Sequence, residues 1–186
     1  YLVWRNIQTM KRKATPFIWL FLGALIFTTC ESSKQNRTEN TNEGVHSTWA
    51  ILPFNKVDSV NPVLVAGDGE FQCPITGMVV KWEEKDVFNP AAVVREGKVY
   101  MLYRAEDKVG KHAGTSRIGL AVSDDGLHFS RRDQPVLYPS NDSLKIYEWE
   151  GGIEDPRVVE TEDGQYVMTY TAYDGKTARL LLATSP

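Results

Sequence analysis

The chain has 186 residues, which is enough for one ordinary domain with a sizeable core. Its 21 Lys and Arg residues and 24 Asp and Glu residues give a formal net charge of -3, so there is no electrostatic reason to expect a nucleic-acid partner. Two cysteines, Cys30 and Cys73, are too few for a small fold held together by disulfides. The three histidines are scattered, and no cluster with metal-ligand spacing is predicted.

Residues 1–30 are predicted to be an upstream extension followed by an export signal. The basic stretch 11–13 precedes an apolar run, 17–27, in the order typical of a secretory signal. At about 1.5 Å per residue, this run is too short to cross a bilayer core of roughly 30 Å as a helix. Small polar residues then lead to Cys30 in an arrangement that resembles a bacterial lipobox. We expect an exported lipoprotein, periplasmic or at the cell surface, that is anchored in the membrane through Cys30; a plain cleaved signal or membrane anchor is the alternative.

The stretch 31–48 is predicted to be a disordered tether. From residue 31 to residue 44 it has no large apolar side chain, so it cannot bury enough surface to offset the entropy lost on ordering. We expect the folded domain to span 49–186.

The folded part is predicted to be all-β. Runs of β-branched and aromatic residues alternate with Gly-containing turns, and no long amphipathic helix follows the signal. The clearest predicted strands are 93–94, 99–103, 118–122, 158–159, 166–170 and 179–184.

An internal repeat organises these strands. Asn89–Val94 aligns with Asp155–Val159, and the segments 100–105 and 120–123 align with 166–172 and 182–185. Repeats of about four short strands are typical of β-propeller blades, whereas two unrelated hairpins with similar turns are the alternative. Two to three blades fit in the chain and a closed propeller needs roughly four to eight, so we interpret the sequence as an N-terminal fragment of a propeller.

A few polar residues are candidates for a site. Asn89 and Asp155 occupy the same repeat position, so we expect them to converge on the central channel, where propellers bind ligands. Arg104 follows a strand and needs a carboxylate or a ligand oxygen as its partner. Adjacent side chains on an extended chain point to opposite faces, so only one of Glu154 and Asp155 is expected to enter the site. Taken singly, each of these residues is better explained as a turn residue or a solvated charge. Taken together, at matched repeat positions, they favour a functional site.

Six segments between residues 88 and 185 carry a more specific resemblance. They read FNPAAVV, YMLYRAED, GTSRIGLAVSDDG, PVLYP, EWEGGIEDPRVV and YTAYDGKTARLLLATS. Together they resemble glycoside hydrolase family 130, the mannoside phosphorylases and related mannosidases, and GGIEDPR is the most specific of them. The resemblance implies a five-bladed propeller with its active site at the central channel.

The same resemblance implies roles for the matching residues. Asp155 corresponds to the general acid, whereas Asn89 and Arg104, with Glu154 as a further candidate, would hold the sugar. Arg179 is a candidate for binding phosphate.

The implied reaction is inverting cleavage of a β-mannoside by phosphorolysis or hydrolysis. The substrate would be an oligosaccharide, and no cofactor is expected apart from inorganic phosphate as a co-substrate of a phosphorylase. A non-catalytic carbohydrate-binding propeller, or an inactive truncated fragment, is the alternative.

Overall fold

The computed structural model describes residues 53–112 and 114–186, together with the short strand Arg5–Asn6. Apart from that strand, the predicted extension and signal, the lipidation site Cys30 and the tether 31–48 lie outside the described residues. In the part of the chain that is described, no helix is long and apolar enough to cross a membrane.

The fold is all-β, as predicted, and one compact unit runs from Val57 to Pro186. Among the described residues of this unit, helical structure is confined to a 3-10 turn at Asp58–Val60 and a short helix, α1, at Lys145–Glu148. The strands are β1 (Arg5–Asn6), β2 (Glu70–Gln72), β3 (Val79–Lys81), β4 (Asp86–Arg95), β5 (Lys98–Glu106), β6 (Ser116–Ser123), β7 (Ser130–Arg131), β8 (Gly152–Glu160), β9 (Tyr166–Tyr173) and β10 (Ala178–Ser185).

Two antiparallel groups of strands make up most of the unit. The first repeat, 86–131, contains β4 to β7 in sequential order, and the second repeat, 152–185, contains β8 to β10, with β1 added beside β10. The two repeats meet through a parallel pairing of Ser116 with Gly152. A Cβ on Gly152 would lie 2.3 Å from the Ser116 carbonyl oxygen, so glycine is required for this close approach.

The first strands of the two repeats share the same irregularity. The register of β4 against β5 shifts between Phe88 and Ala91, and that of β8 against β9 shifts at the matching place. Asn89 and Asp155 lie in these shifts with φ of 47° and 49°, in the left-handed region that few non-glycine residues adopt. The bulges therefore place Asn89 and Asp155 at equivalent positions, as the sequence alignment predicted.

An Asp–Arg pair also recurs at the turn between the second and third strands of each repeat. Arg117 donates to Asp107 at 2.7 Å and to the carbonyl two residues before it at 3.1 Å. Arg179 makes the same two contacts, with Asp174 at 2.7 Å and with the carbonyl two residues before it at 3.1 Å. We call this pair the clasp; it fixes the turn in both repeats.

A buried tyrosine–glutamate pair is the third shared feature. Tyr103 donates to Glu83 at 3.0 Å, and Tyr170 donates to Glu148 at 2.7 Å. Each glutamate precedes the first strand of its repeat, so the pair ties the incoming segment to the sheet. Arg131 also donates to Glu83 at 2.9 Å, whereas no described residue pairs with Oε2 of Glu148.

The main core lies where the repeats face each other. Leu102 and Ile118 of the first repeat and Ile153 and Met168 of the second belong to one buried cluster. Each such side chain stabilises the fold by about 1.5–3 kcal/mol relative to leaving it in water. This packing holds the first strands of both repeats in place beside the site.

A second core lies beneath the β2–β3 hairpin. Phe71 and Trp82 pack in one buried cluster with Tyr103, which crosses Gly119 on the neighbouring strand. A Cβ on Gly119 would lie 2.3 Å from the Tyr103 ring, so glycine makes room for the aromatic side chain. The sequence pattern did not predict β2 and β3, because each has only three residues.

Candidate active site

Arg104 is the centre of a polar cluster at the start of β4 and β8. Its side chain is 15% exposed and lies over the Phe88 ring, with the guanidinium carbon 4.6 Å from the ring centroid. Nη2 contacts Glu154 Oε1 at 2.9 Å, and Nη1 donates to Asp155 Oδ1 at 3.3 Å. The predicted need of Arg104 for an anionic partner is therefore met by carboxylates of the second repeat.

Asn89 and Asp155 are in direct contact. Asn89 Nδ2 donates to Asp155 Oδ1 at 2.7 Å, so the same oxygen accepts hydrogen bonds from Asn89 and Arg104. The Asp155 side chain is 37% exposed, and within the described residues no hydrogen bond reaches its second oxygen, Oδ2. One oxygen of Asp155 is thus held by the protein and the other is open to a ligand.

The expectation that only one of Glu154 and Asp155 enters the site is wrong. Both carboxylates contact Arg104, at 2.9 Å and 3.3 Å. The strict alternation of side chains holds for a regular strand, but the bulge at Asp155 turns the backbone and brings the two neighbours to the same side.

Glu106 and Ser116 complete the cluster and were not predicted from the sequence. Arg104 donates through Nη2 to Glu106 Oε1 at 2.5 Å and through Nε to Ser116 Oγ at 3.0 Å. Lys85 donates to the other Glu106 oxygen at 2.7 Å. Glu106 lies two residues after Arg104 on β5, and this spacing puts both side chains on one face of a strand. Strand periodicity is therefore the signal that could have identified Glu106.

The acidic groups differ in how strongly they hold protons. Burial raises the pKa of Glu154; Arg104 opposes this change, and the nearby charges of Asp155 and Glu106 add to it. Burial would also raise the pKa of Glu106, but hydrogen bonds from Lys85 and Arg104 outweigh it and lower that pKa. The cluster thus combines a firmly ionised carboxylate, Glu106, with one that takes up a proton more readily, Glu154.

Arg179 lies apart from this cluster. Its Nη1 is bound by Asp174 in the clasp, and its guanidinium carbon lies 5.2 Å from the centroid of the Tyr147 ring. No hydrogen bond or ion pair among the described residues joins it to Asn89, Arg104 or Asp155. Its predicted contact with phosphate remains a prediction.

The described residues contain no group of three or more His, Cys, Asp and Glu side chains arranged to hold a metal ion. The cluster itself has three carboxylates, Glu106, Glu154 and Asp155, beside two cations, Arg104 and Lys85. What this arrangement offers chemically is a carboxyl group with one open oxygen, next to an amide and a guanidinium that can hold hydroxyl groups.

Comparison with known proteins identifies the family of this chain. The model of glycoside hydrolase family 130, described as beta-1,4-mannooligosaccharide phosphorylase, matches residues 72–186. The match covers more than half of the sequence, and the chain therefore belongs to glycoside hydrolase family 130. This confirms the family that the sequence motifs predicted, and it makes the chain part of a family of carbohydrate-active enzymes.

Particular relatives are similar over much of the folded part. The chain is 42% identical over 112 residues to a 1,2-beta-oligomannan phosphorylase of Thermoanaerobacter sp. (strain X514), which covers 56% of this chain and 36% of that protein. It is 49% identical to a glycosyl hydrolase of known structure from Bacteroides ovatus, with a TM-score of 0.70 over 74% of this chain and 39% of the other.

A third relative is another solved structure. Its description states that the GH130 family of mannoside phosphorylases contains glycoside hydrolases that target beta-1,2 mannosidic linkages in Candida mannan. Its structure is 49% identical to this chain, with a TM-score of 0.70 over 76% of this chain and 40% of the other. The chain thus spans between about a third and two-fifths of the length of these relatives.

Proposed function

We propose that this chain forms the part of an inverting β-mannoside-cleaving enzyme that holds the catalytic acid, Asp155. The observation that carries the proposal is the asymmetric setting of its carboxyl group. Oδ1 accepts hydrogen bonds from Asn89 at 2.7 Å and Arg104 at 3.3 Å, whereas Oδ2 is open. This arrangement suits a general acid, because the anchored oxygen fixes the carboxyl group and the open oxygen can carry a proton towards the substrate.

The acid acts on the bond between the mannose and its leaving group. The proton of Asp155 passes to the glycosidic oxygen, directly or through a sugar hydroxyl, and the bond from that oxygen to the anomeric carbon breaks. A nucleophile attacks the same carbon from the opposite face, so a β-mannoside yields an α-configured product. Asn89, Arg104 and Glu154 surround the acid and would hold the hydroxyl groups of the mannose.

Phosphate is one candidate for the nucleophile. The curated relatives are named as phosphorylases, of 1,2-beta-oligomannan and of beta-1,2-mannobiose. Phosphate needs no carboxylate base, but it does need cations. Arg179 is the candidate within this chain, and inorganic phosphate would be the only co-substrate.

Water is the second candidate for the nucleophile. It is favoured by the relative of known structure whose description names glycoside hydrolases of beta-1,2 linkages. Export would favour it as well, because a sugar phosphate is most useful where the product is retained. In that case a carboxylate base would have to activate the water.

Architecture, linkage and location complete the proposal. We propose that the two repeats are blades of a propeller and that the cluster around Arg104 lies at its central channel. The β-1,2 linkages named for three relatives make such mannosides the first substrates to test.

The basic and apolar stretches before Cys30 support export and lipid anchoring. Labelling of the expressed protein with a palmitate analogue would test this, with Cys30→Ser as the control.

A product assay tests the reaction itself. The full-length gene product is incubated with β-1,2-mannobiose with and without phosphate, and the products are followed by NMR. α-Mannose 1-phosphate that forms only with phosphate identifies a phosphorylase, and α-mannose that forms without phosphate identifies a hydrolase. A β-configured product, or no cleavage of any β-mannoside, would contradict the proposal.

A further inference from the structure

Arg104 is also held by two residues of its own repeat, Glu106 and Ser116. Its Nε donates to Ser116 Oγ at 3.0 Å, and its Nη2 contacts Glu106 Oε1 at 2.5 Å. Ser116 Oγ in turn donates to the same Glu106 oxygen at 3.1 Å. We call these three residues the triangle. It fixes the plane of the guanidinium, because two neighbouring nitrogens of the group, Nε and Nη2, are bound at once.

The two repeats serve as controls for each other. A set of contacts that only supports the fold is expected in both repeats. The clasp and the tyrosine–glutamate pair do occur in both. The triangle occurs in the first repeat alone, although the strand register gives each of its members an equivalent in the second. Those equivalents are Thr171, Tyr173 and Ala178. The triangle therefore serves the site that Arg104 shares with Asp155.

We propose that Glu106 is a positioning residue that, with Ser116, holds Arg104 so that only Nη1 reaches the acid Asp155. This inference rests on the proposed function of Asp155. Glu106 is suited to the role because it is 12% exposed and its second oxygen is anchored by Lys85 at 2.7 Å. It acts through Arg104 and makes no contact with the open oxygen of Asp155.

The charge of Glu106 matters as much as its geometry. Glu106 balances part of the positive charge of Arg104, which it shares with Asp155. The charged groups that face Glu106 are Lys85, Arg104 and Glu154, with the exposed Asp86 opposite it in the sheet. When Glu106 loses its charge, the positive charge of Arg104 is balanced only by Glu154 and Asp155, and this favours the ionised form of the acid. Because the reaction needs the protonated acid, activity should then decline at a lower pH than in the wild type.

The variant Glu106→Gln tests this in the full-length gene product, because it keeps the size and the accepting oxygen but removes the charge. We expect kcat on β-1,2-mannobiose to fall about tenfold to a hundredfold and the basic limb of the kcat–pH profile to move about 0.5 pH unit or more to lower pH. Ser116→Ala removes a neutral contact, so it should lower kcat by a smaller factor and leave the limb in place.

Two controls separate the possible outcomes. Lys98→Met breaks an exposed ion pair with Asp124 far from Arg104, and it should change neither kcat nor the profile. A purely structural role for Glu106 would reduce the active fraction without moving the basic limb, so an unmoved limb overturns the inference. Loss of turnover in Asp155→Asn together with an unmoved limb in Glu106→Gln rejects the positioning role alone, whereas turnover that survives in Asp155→Asn rejects the proposed function itself.

Discussion

Asn89 and Asp155 are joined by a 2.7 Å hydrogen bond although 66 residues separate them in the chain. Each lies at the bulge of the first strand of its repeat, with nearly the same left-handed backbone conformation. The two repeats thus carry different side chains, an amide and a carboxylate, at equivalent backbone positions. An amide from the first repeat donates to a carboxylate from the second, and this contact assembles the candidate site at the boundary between them.

The first prediction concerns the amide of Asn89. Asn89→Gly keeps the left-handed backbone but removes the donor to Asp155, whereas Asn89→Ala removes the donor and strains the backbone. We expect both variants to lower kcat about tenfold or more, because a hydrogen bond to a charged group is lost. Asn89→Ala should also be about 1 kcal/mol less stable than Asn89→Gly in urea unfolding. Wild-type turnover in Asn89→Gly would show that the amide has no role.

The second prediction compares the two copies of the clasp. Asp107 and Arg117 are each 2% exposed, whereas Asp174 and Arg179 are 18% and 35% exposed. Breaking a buried ion pair leaves a charge without a partner or water, so Asp107→Asn should cost about 3–5 kcal/mol of unfolding free energy. Asp174→Asn should cost clearly less, because water reaches both partners of the second copy. Urea unfolding of both variants checks this order, and equal losses would contradict it.

The equivalence of the two clasps also has a consequence for Arg179. Arg179 is the counterpart of Arg117, and each guanidinium group donates through Nη1 to the aspartate of its clasp. A phosphate contact of Arg179 would therefore use its remaining nitrogens. Asp174→Asn would then weaken phosphate binding as well as the clasp, because Asp174 orients the side chain.

The third prediction concerns Glu148, which is fully buried beside Tyr170. Burial raises its pKa from 4.5 to about 7, although the Tyr170 hydrogen bond opposes the change. The folded state thus binds the proton more tightly than the unfolded state. This contribution to stability is fully present below about pH 4.5 and is lost as the pH rises through about 7.

The variant Glu148→Gln has no proton to lose at this position, so its unfolding free energy should not fall with pH in this way. Between pH 4.5 and pH 7, the unfolding free energy of the wild type should fall relative to the variant by up to roughly 3 kcal/mol. Urea unfolding across this range measures the difference, with the exposed Glu162→Gln as a control that follows the wild type. A difference between wild type and Glu148→Gln that is constant with pH would contradict the assignment.

The sequence allowed the repeat to be predicted because its signals are local. Asn89–Pro90 and Asp155–Pro156 stand before similar apolar runs, and the turn chemistry between the runs is similar as well. The all-β class and the pairing of Asn89 with Asp155 follow from that alignment. Family membership followed from longer motifs, of which GGIEDPR is the most specific.

The contacts within the site were harder to predict because they depend on register. The rule of alternating side chains failed at Glu154 and Asp155, because a bulge is set by how two strands pair and not by the residues of one strand. Ser116 could not be identified as a partner of Arg104, because 12 residues separate them and nothing in the sequence fixes their register. The short strands β2 and β3 were missed because three residues carry no periodicity.

Substitution of Asp155 by Asn is the most direct test of the central claim. Asn keeps the size of the side chain and can still accept at Oδ1, but it has no acidic proton to give. In the full-length gene product we expect turnover of β-1,2-mannobiose to fall at least about a thousandfold, while calorimetric binding of the same disaccharide changes less than about tenfold. Asp163→Asn, in an exposed turn, is the matched control and should change neither quantity. Retention of wild-type turnover in Asp155→Asn would contradict the claim that Asp155 is the catalytic acid.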